Sequence, residues 1–138
     1  MKVICKENRA INLDLGEVTL VYSRETEFPI IKGKDYIVMG MMMCKDSNCL
    51  YYLVDDYDLP DWLPYQLFDI SDNEVLPNWF IKIFDKKTSS GCLLYLSGFG
   101  ELCNDDKYHD ALVEREQWAL DIYFRRKHEA QEWYFARE

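Results

Sequence analysis

Short alternating runs of apolar and polar residues dominate the first half of the chain. In Glu17–Ser23, Val18, Leu20 and Tyr22 share one face, the period of a half-buried strand. Val3–Cys5 is a shorter candidate. Tyr36–Met43 is rich in strand formers and closes on Cys44-Lys45-Asp46-Ser47-Asn48, a turn-forming cluster, and Leu50–Val54 reads as the return strand of a hairpin. Pro60 and Pro64 interrupt the next segment, so Asp55–Gln66 is expected to be an irregular loop. Leu67–Ser71 is then a further short strand. Strands this short, with no helix between them, predict a small barrel or a strongly curved antiparallel sheet.

Pro77 and Asn78 punctuate the chain. Trp79–Phe84 alternates, with Trp79, Ile81 and Ile83 on one face and Lys82 on the other. Asp85–Gly91 is a polar turn and Cys92–Ser97 the return strand of an added hairpin. Gly98-Phe99-Gly100 permits tight or positive-φ geometry. From about Lys107 to Phe135 the period becomes helical. Asp110, Glu114, Gln117, Asp121, Arg125, His128 and Glu132 fall on one narrow face, and Leu112, Ala119, Ile122, Tyr123, Ala130 and Trp133 fall opposite. Asn104 or Asp105 can cap its start, where Asp105, Asp106 and Asp110 suit the positive end of the helix dipole. One continuous helix of that length would span about 43 Å. The expected fold class is α+β in a single domain: a β part over 1–76, then a hairpin and a long C-terminal helix over 77–138.

Composition supports a packed core. Of 138 residues, 49% are hydrophobic and 15% aromatic, which argues against global disorder. No run approaches the ~20 apolar residues of a membrane helix. The start, Met1-Lys2-Val3-Ile4-Cys5-Lys6, has no apolar core of a secretory signal. Five scattered cysteines, Cys5, Cys44, Cys49, Cys92 and Cys103, read as reduced thiols of a cytoplasmic protein.

Charge adds the most. The net charge is −9, and residues 1–77 carry seven Lys and Arg against fourteen Asp and Glu. Between Lys45 and Lys82 there is no Lys, Arg or His, while Asp46, Asp55, Asp56, Asp58, Asp61, Asp69, Asp72 and Glu74 all lie in that window. Such a chain repels nucleic acid and anionic membranes and attracts basic surfaces.

The chemical motifs are few. A Cys103–His109 pair would need a positive, orienting environment to make a thiolate nucleophile, and Asp105 and Asp106 oppose it. Cys44, Cys49, Cys92 and Cys103 lack the knuckle spacing of a structural zinc site. Asp56-x-Asp58-x-Pro60-Asp61 fails the calcium-loop pattern, with Asp61 where glycine is required and Leu67 where a bidentate Glu is required. There is no phosphate-binding glycine loop and no nucleophile elbow. No catalytic residue, metal or cofactor is therefore expected.

The acidic window, interleaved with Tyr51, Tyr52, Tyr57, Trp62, Tyr65, Phe68 and Trp79, is the stronger signal, because aromatics anchor interfaces and acids around them steer a basic partner. Asp55, Asp56, Tyr57, Asp58, Asp61 and Trp62 are the expected partner-binding residues, with Asp55, Asp56, Asp58 and Asp61 exposed on the loop.

Three segments carry a resemblance: Lys34-Asp35-Tyr36-Ile37-Val38, Tyr51-Tyr52-Leu53-Val54-Asp55-Asp56, and Trp62-Leu63-Pro64-Tyr65-Gln66-Leu67-Phe68-Asp69-Ile70. Together they resemble the SH3-like small barrels of short bacterial and phage proteins, in which a K-x-Y-x-V strand pairs with a Y-x-[LV]-x-D strand and a P-x-x-L-F-x-[IV] turn leads into the closing strand. The match covers about residues 30–72 and implies an SH3-like curved sheet; fold alone does not fix function. By class and charge the chain is also similar to bacterial toxin-immunity proteins. That similarity implies an inhibitor of a cognate toxin, often a basic nuclease. Two readings compete: a small enzyme or ligand-binding protein using Cys103 and His109, and a self-associating structural protein with Trp133-Tyr134-Phe135 as its patch.

Overall fold

The computed structural model describes residues 1–12, 25–45, 49–56, 59–85 and 93–137. The fold is α+β: two antiparallel sheets, neither closed, and a helical layer. The strands are β1 (Lys2–Cys5), β2 (Asp35–Ile37), β3 (Gly40–Cys44), β4 (Leu50–Asp56), β5 (Leu59–Pro64), β6 (Phe68–Asp72), β7 (Phe80–Ile83) and β8 (Leu93–Gly98). A three-stranded sheet has the order β2-β1-β6, and a five-stranded sheet the order β5-β4-β3-β8-β7. The helices are α1 (Gly100–Asn104), α2 (Tyr108–Val113) and α3 (Gln117–Arg137). No helix among the described residues is long and apolar enough to cross a membrane.

The hairpin expected at Tyr36–Val54 is present as β3 and β4, with Met41 opposite Tyr52. The run Tyr36–Met43 is not one strand, however. Val38 N–H donates to Met1 O and Met39 N–H to Leu53 O, so the chain changes sheets between two buried residues. The hairpin of β7 and β8 also forms, and β8 pairs with β3, which makes the added hairpin part of the main sheet. The expected strand Glu17–Ser23 lies outside the described residues.

Two expectations need correction. Asp55–Gln66 is not a loop: Leu59–Pro64 is strand β5, in register with β4 from Tyr51↔Pro64 to Asp56↔Leu59, followed by a 3-10 turn at Tyr65–Leu67. Proline has no backbone N–H, so in a central strand it loses a ladder hydrogen bond, but β5 lies at the sheet edge, where proline is tolerated.

The single long helix is also divided. Glu116 N–H donates to Ala111 O and Arg115 N–H to Leu112 O, the paired bonds of a Schellman stop. Arg115 takes the left-handed position, at φ 59°. Glycine normally fills that position, so the stop is invisible to a search for glycine.

The helical stripe survives the break. All seven residues of the expected polar face are exposed, while Leu112, Ala119, Tyr123 and Ala130 of the opposite face are buried.

Strand β4 is buried along nearly its whole length, because both of its faces are covered. Successive side chains point to opposite sides of a strand. The Tyr52 ring lies 6.0 Å from Phe68 of the three-stranded sheet. On the other face, Leu53 lies in the row Leu53–Trp62 and Leu53–Gly40–Gly98, and Trp62 meets His109 of α2 at 5.9 Å.

Helix α1 presses into this second face through Leu102. A Cβ on Gly40 would meet Leu102 Cδ2 at 2.6 Å, and one on Gly98 (φ +147°) would meet Met39 O at 2.7 Å. Glycine at these two positions lets the helix seat on the sheet. Arg126 closes the far side, its guanidinium bridging both carboxylate oxygens of Glu101 at 2.8 Å.

The left-handed Arg115 gives a stability prediction. A non-glycine residue there costs about 1–2 kcal/mol, partly offset by the greater unfolded-state entropy of glycine. Arg115→Gly should therefore raise stability by about 0.5–1 kcal/mol in urea denaturation, and the β-branched Arg115→Val should lower it. A loss on Arg115→Gly would show that the arginine side chain, not the backbone, secures the turn.

Candidate functional site

The expected site residues do not share one surface. Asp55 and Asp56 end β4 and are 8% and 7% exposed, against the exposure expected of them. Strand alternation sends them apart. Asp55 turns toward the helices, where Tyr123 Oη donates to it at 2.8 Å and Lys127 Nζ pairs with its other oxygen. Asp56 turns toward the three-stranded sheet, where Tyr36 Oη donates at 2.5 Å and Lys34 Nζ at 2.8 Å. Each buried carboxylate thus has one tyrosine hydroxyl and one ammonium, the satisfaction that burial of a charge requires. Burial and the Asp56 carboxylate both push the Tyr36 hydroxyl pKa well above its usual value.

Trp62 is buried as well, its ring against His109. Asp61 is half-buried at the edge strand and accepts the Trp62 N–H at 2.9 Å. Burial raises its pKa, and that N–H and the charge of Arg115 oppose the rise. Tyr57 and Asp58 lie outside the described residues.

A cleft of about 440 Å³ opens where the two anchored carboxylates approach the surface. Lys2, Lys34 and Lys127 line it with Asp35, Asp55 and Asp56, so its charges are balanced within the chain. The arrangement offers polar hydrogen-bonding groups, with the Lys34 and Lys127 ammoniums held by the two carboxylates.

One group of exposed acids lies at the corner between α2 and α3. Asp110, Glu114 and Glu116 are exposed there and form no ion pair among the described residues. Val113 is 58% exposed and Trp118 42%, the latter with its ring edge-on to Tyr108 at 5.8 Å. Asp61, Val113 and Arg115 border a small recess of about 60 Å³ beside the corner, which links it to the one expected site residue, among those described, that keeps partial exposure. The sequence pattern places Asp110 and Glu114 on the polar helix face and gives Glu116 no role. The run Glu114-Arg115-Glu116-Gln117-Trp118 carried a signal, an aromatic set inside an acidic stretch.

Cys103 and His109 do line a common recess, of about 260 Å³, with Lys82, Asp105, Asp106 and Asp110. Their environment opposes nucleophilic chemistry. The Cys103 thiol faces the carbonyl oxygens of Phe80, Leu96 and Gly98 at 3.5–3.8 Å, and burial pushes its pKa up to about 11. His109 Nδ1 is buried without a hydrogen-bond partner, so no group orients the ring as a base, and burial lowers its pKa.

Cys49 Sγ donates to Gln66 Oε1 at 3.3 Å, Cys92 lies outside the described residues, and no group of three or more metal-ligating side chains occurs among the described residues. Nor do Trp133-Tyr134-Phe135 form a patch: Trp133 is covered by the Arg137 guanidinium at 4.4 Å, Tyr134 is buried, and Phe135 stands exposed.

A thiol of pKa about 11 is ionised in only about one molecule in ten thousand at pH 7, and the thiolate is the reactive form. Because the shift is upward, reactivity should stay low across neutral pH and rise only as pH approaches that value. Iodoacetamide at pH 7.5 should label the half-exposed Cys44 well before Cys103 in the folded protein, and both readily in denaturant. Rapid labelling of native Cys103 would restore it as a nucleophile.

No family model matches the chain, and neither a curated protein nor a solved structure is detectably similar to it.

Proposed function

We propose that the chain is an acidic binding protein that neutralises or tethers a basic protein partner, most specifically an immunity protein that inhibits a cognate toxin domain. The observation that carries this reading is the α2–α3 corner, where Asp110, Val113, Glu114, Glu116 and Trp118 are all exposed within nine residues of chain. An exposed tryptophan in a stretch with acids that form no ion pair among the described residues is a composition that steers and then holds a basic surface. Asp61 borders this corner and is retained in the reading, whereas Asp55, Asp56 and Trp62 act behind it as its support.

We also read the β part as an SH3-like arrangement. The 3-10 turn at Tyr65–Leu67, which leads into β6, supports this. So does the pairing of β6 with β1, which brings a closing strand back to the first. The Pro64–Ile70 segment supplies that turn and strand, as the resemblance implies.

Full-length protein immobilised and challenged with a lysate of its own source should retain a basic protein that elutes as salt rises. The triple variant Asp110→Lys/Glu114→Lys/Glu116→Lys should slow association by about tenfold or more and flatten its salt dependence, with the fold intact because all three sites are exposed. A retained partner that is not basic, or one bound equally by the triple variant, would remove the corner from the account. Relief of growth arrest on co-expression with that partner would mark it as a toxin.

A further inference from the structure

Among the described residues, strand β7 lies at the edge of the five-stranded sheet and pairs only with β8. Its side chains are unusually apolar for an edge: Ile81 is 68% and Ile83 75% exposed, and Phe80 is exposed as well. Edge strands normally carry charges, prolines or bulges that prevent pairing with another chain. The only charge here is Lys82, and that is already engaged, with Asp106 Oδ1 at 3.3 Å and the Phe84 ring at 5.2 Å.

Two further features select the occupant of this edge. The first is the sequence itself: Phe80-Ile81-Lys82-Ile83-Phe84 reads the same in both directions. An interface about a two-fold axis must be self-complementary, and an antiparallel pair centred on Lys82 sets Ile81 against Ile83, and Phe80 against Phe84, of the second copy.

The second is the hydrogen-bond register. Phe84 N–H donates to Leu94 O of β8. Main-chain groups alternate sides along a strand, so those of Phe80, Lys82 and Phe84 turn to β8 and those of Ile81 and Ile83 turn outward. The palindrome therefore places outward-facing Ile81 against outward-facing Ile83, where each such pair exchanges two hydrogen bonds. Lys82 falls on the axis in the position that needs none. The like charges that meet there are each balanced by their own Asp106.

We infer that the chain forms a two-fold homodimer through antiparallel β7–β7 pairing in the register Ile81↔Ile83, which joins two five-stranded sheets into one. The pairing uses β7 main-chain groups, whereas the proposed partner surface uses side chains of the α2–α3 corner; Lys82 and Asp110 line one recess, so the two surfaces are neighbours but use different groups.

Sedimentation equilibrium of the full-length chain should show a concentration-dependent dimer. Ile83→Pro removes an outward N–H that the monomer does not use, and Ile83→Lys places charge at an exposed site; each should raise the dimer dissociation constant by about tenfold or more with unchanged circular dichroism. Lys82→Cys should give, under mild oxidation, a disulfide joining the two substituted positions across the axis, where side chains approach most closely, identified by peptide mass against wild type treated alike. A wild-type chain that stays monomeric would overturn the inference. So would a dimer that both Ile83 variants leave intact, or a Lys82→Cys variant that dimerises without that crosslink.

Discussion

Two adjacent carboxylates at the end of β4 hold the three layers together. Because Asp55 and Asp56 are consecutive on a strand, they point in opposite directions: one grips Tyr123 and Lys127 on α3, the other Tyr36 and Lys34 beside and on β2. Removing one partner of a buried charge pair costs about 3–5 kcal/mol, a large share of a typical domain's stability. The remaining packing depends on this clamp. With α3 fixed to β4, the stripe Ala119, Tyr123, Ala130, Tyr134 is buried along its length, and Arg126 reaches Glu101 to fix α1, whose Leu102 fills the space left by Gly40 and Gly98.

This clamp changes what the acidity of the chain means. The basic-free window reads as one acidic surface when only sequence order is considered. In the fold, its two central acids are withdrawn into the interior by cations from outside the window, Lys34 and Lys127, and others also pair with distant cations, as Asp72 does with Arg137 and Asp69 with Lys6. Asp110, Glu114 and Glu116 are exposed acids that form no ion pair among the described residues, and they flank the turn at the left-handed Arg115.

Much of the architecture was legible because burial imposes periodicity. The hairpin of β3 and β4, the hairpin of β7 and β8, and both helical faces follow from alternation of two or of about 3.6. The failures have specific causes. Pro60 and Pro64 argue against a strand only if that strand is central, and sequence does not reveal which strand is the edge. The helix stop was hidden because an arginine occupies the glycine position. The anchoring of Asp55 and Asp56 was hidden because its partners lie 22 and 72 residues away. Their spacing, Lys34-x-Tyr36 at the start of a strand and Tyr123-x-x-x-Lys127 on a helix, gains meaning only once both segments are known to face β4.

The clamp is tested most directly by a double-mutant cycle on Asp55 and Lys127, read by urea denaturation of the wild type, Asp55→Ala, Lys127→Ala and the double variant. The account predicts that Asp55→Ala alone costs about 3–5 kcal/mol and that the two substitutions couple by about 1 kcal/mol or more. Single variants that lose less than about 0.5 kcal/mol and add without coupling would contradict it and return Asp55 to the surface as a residue free to meet a partner.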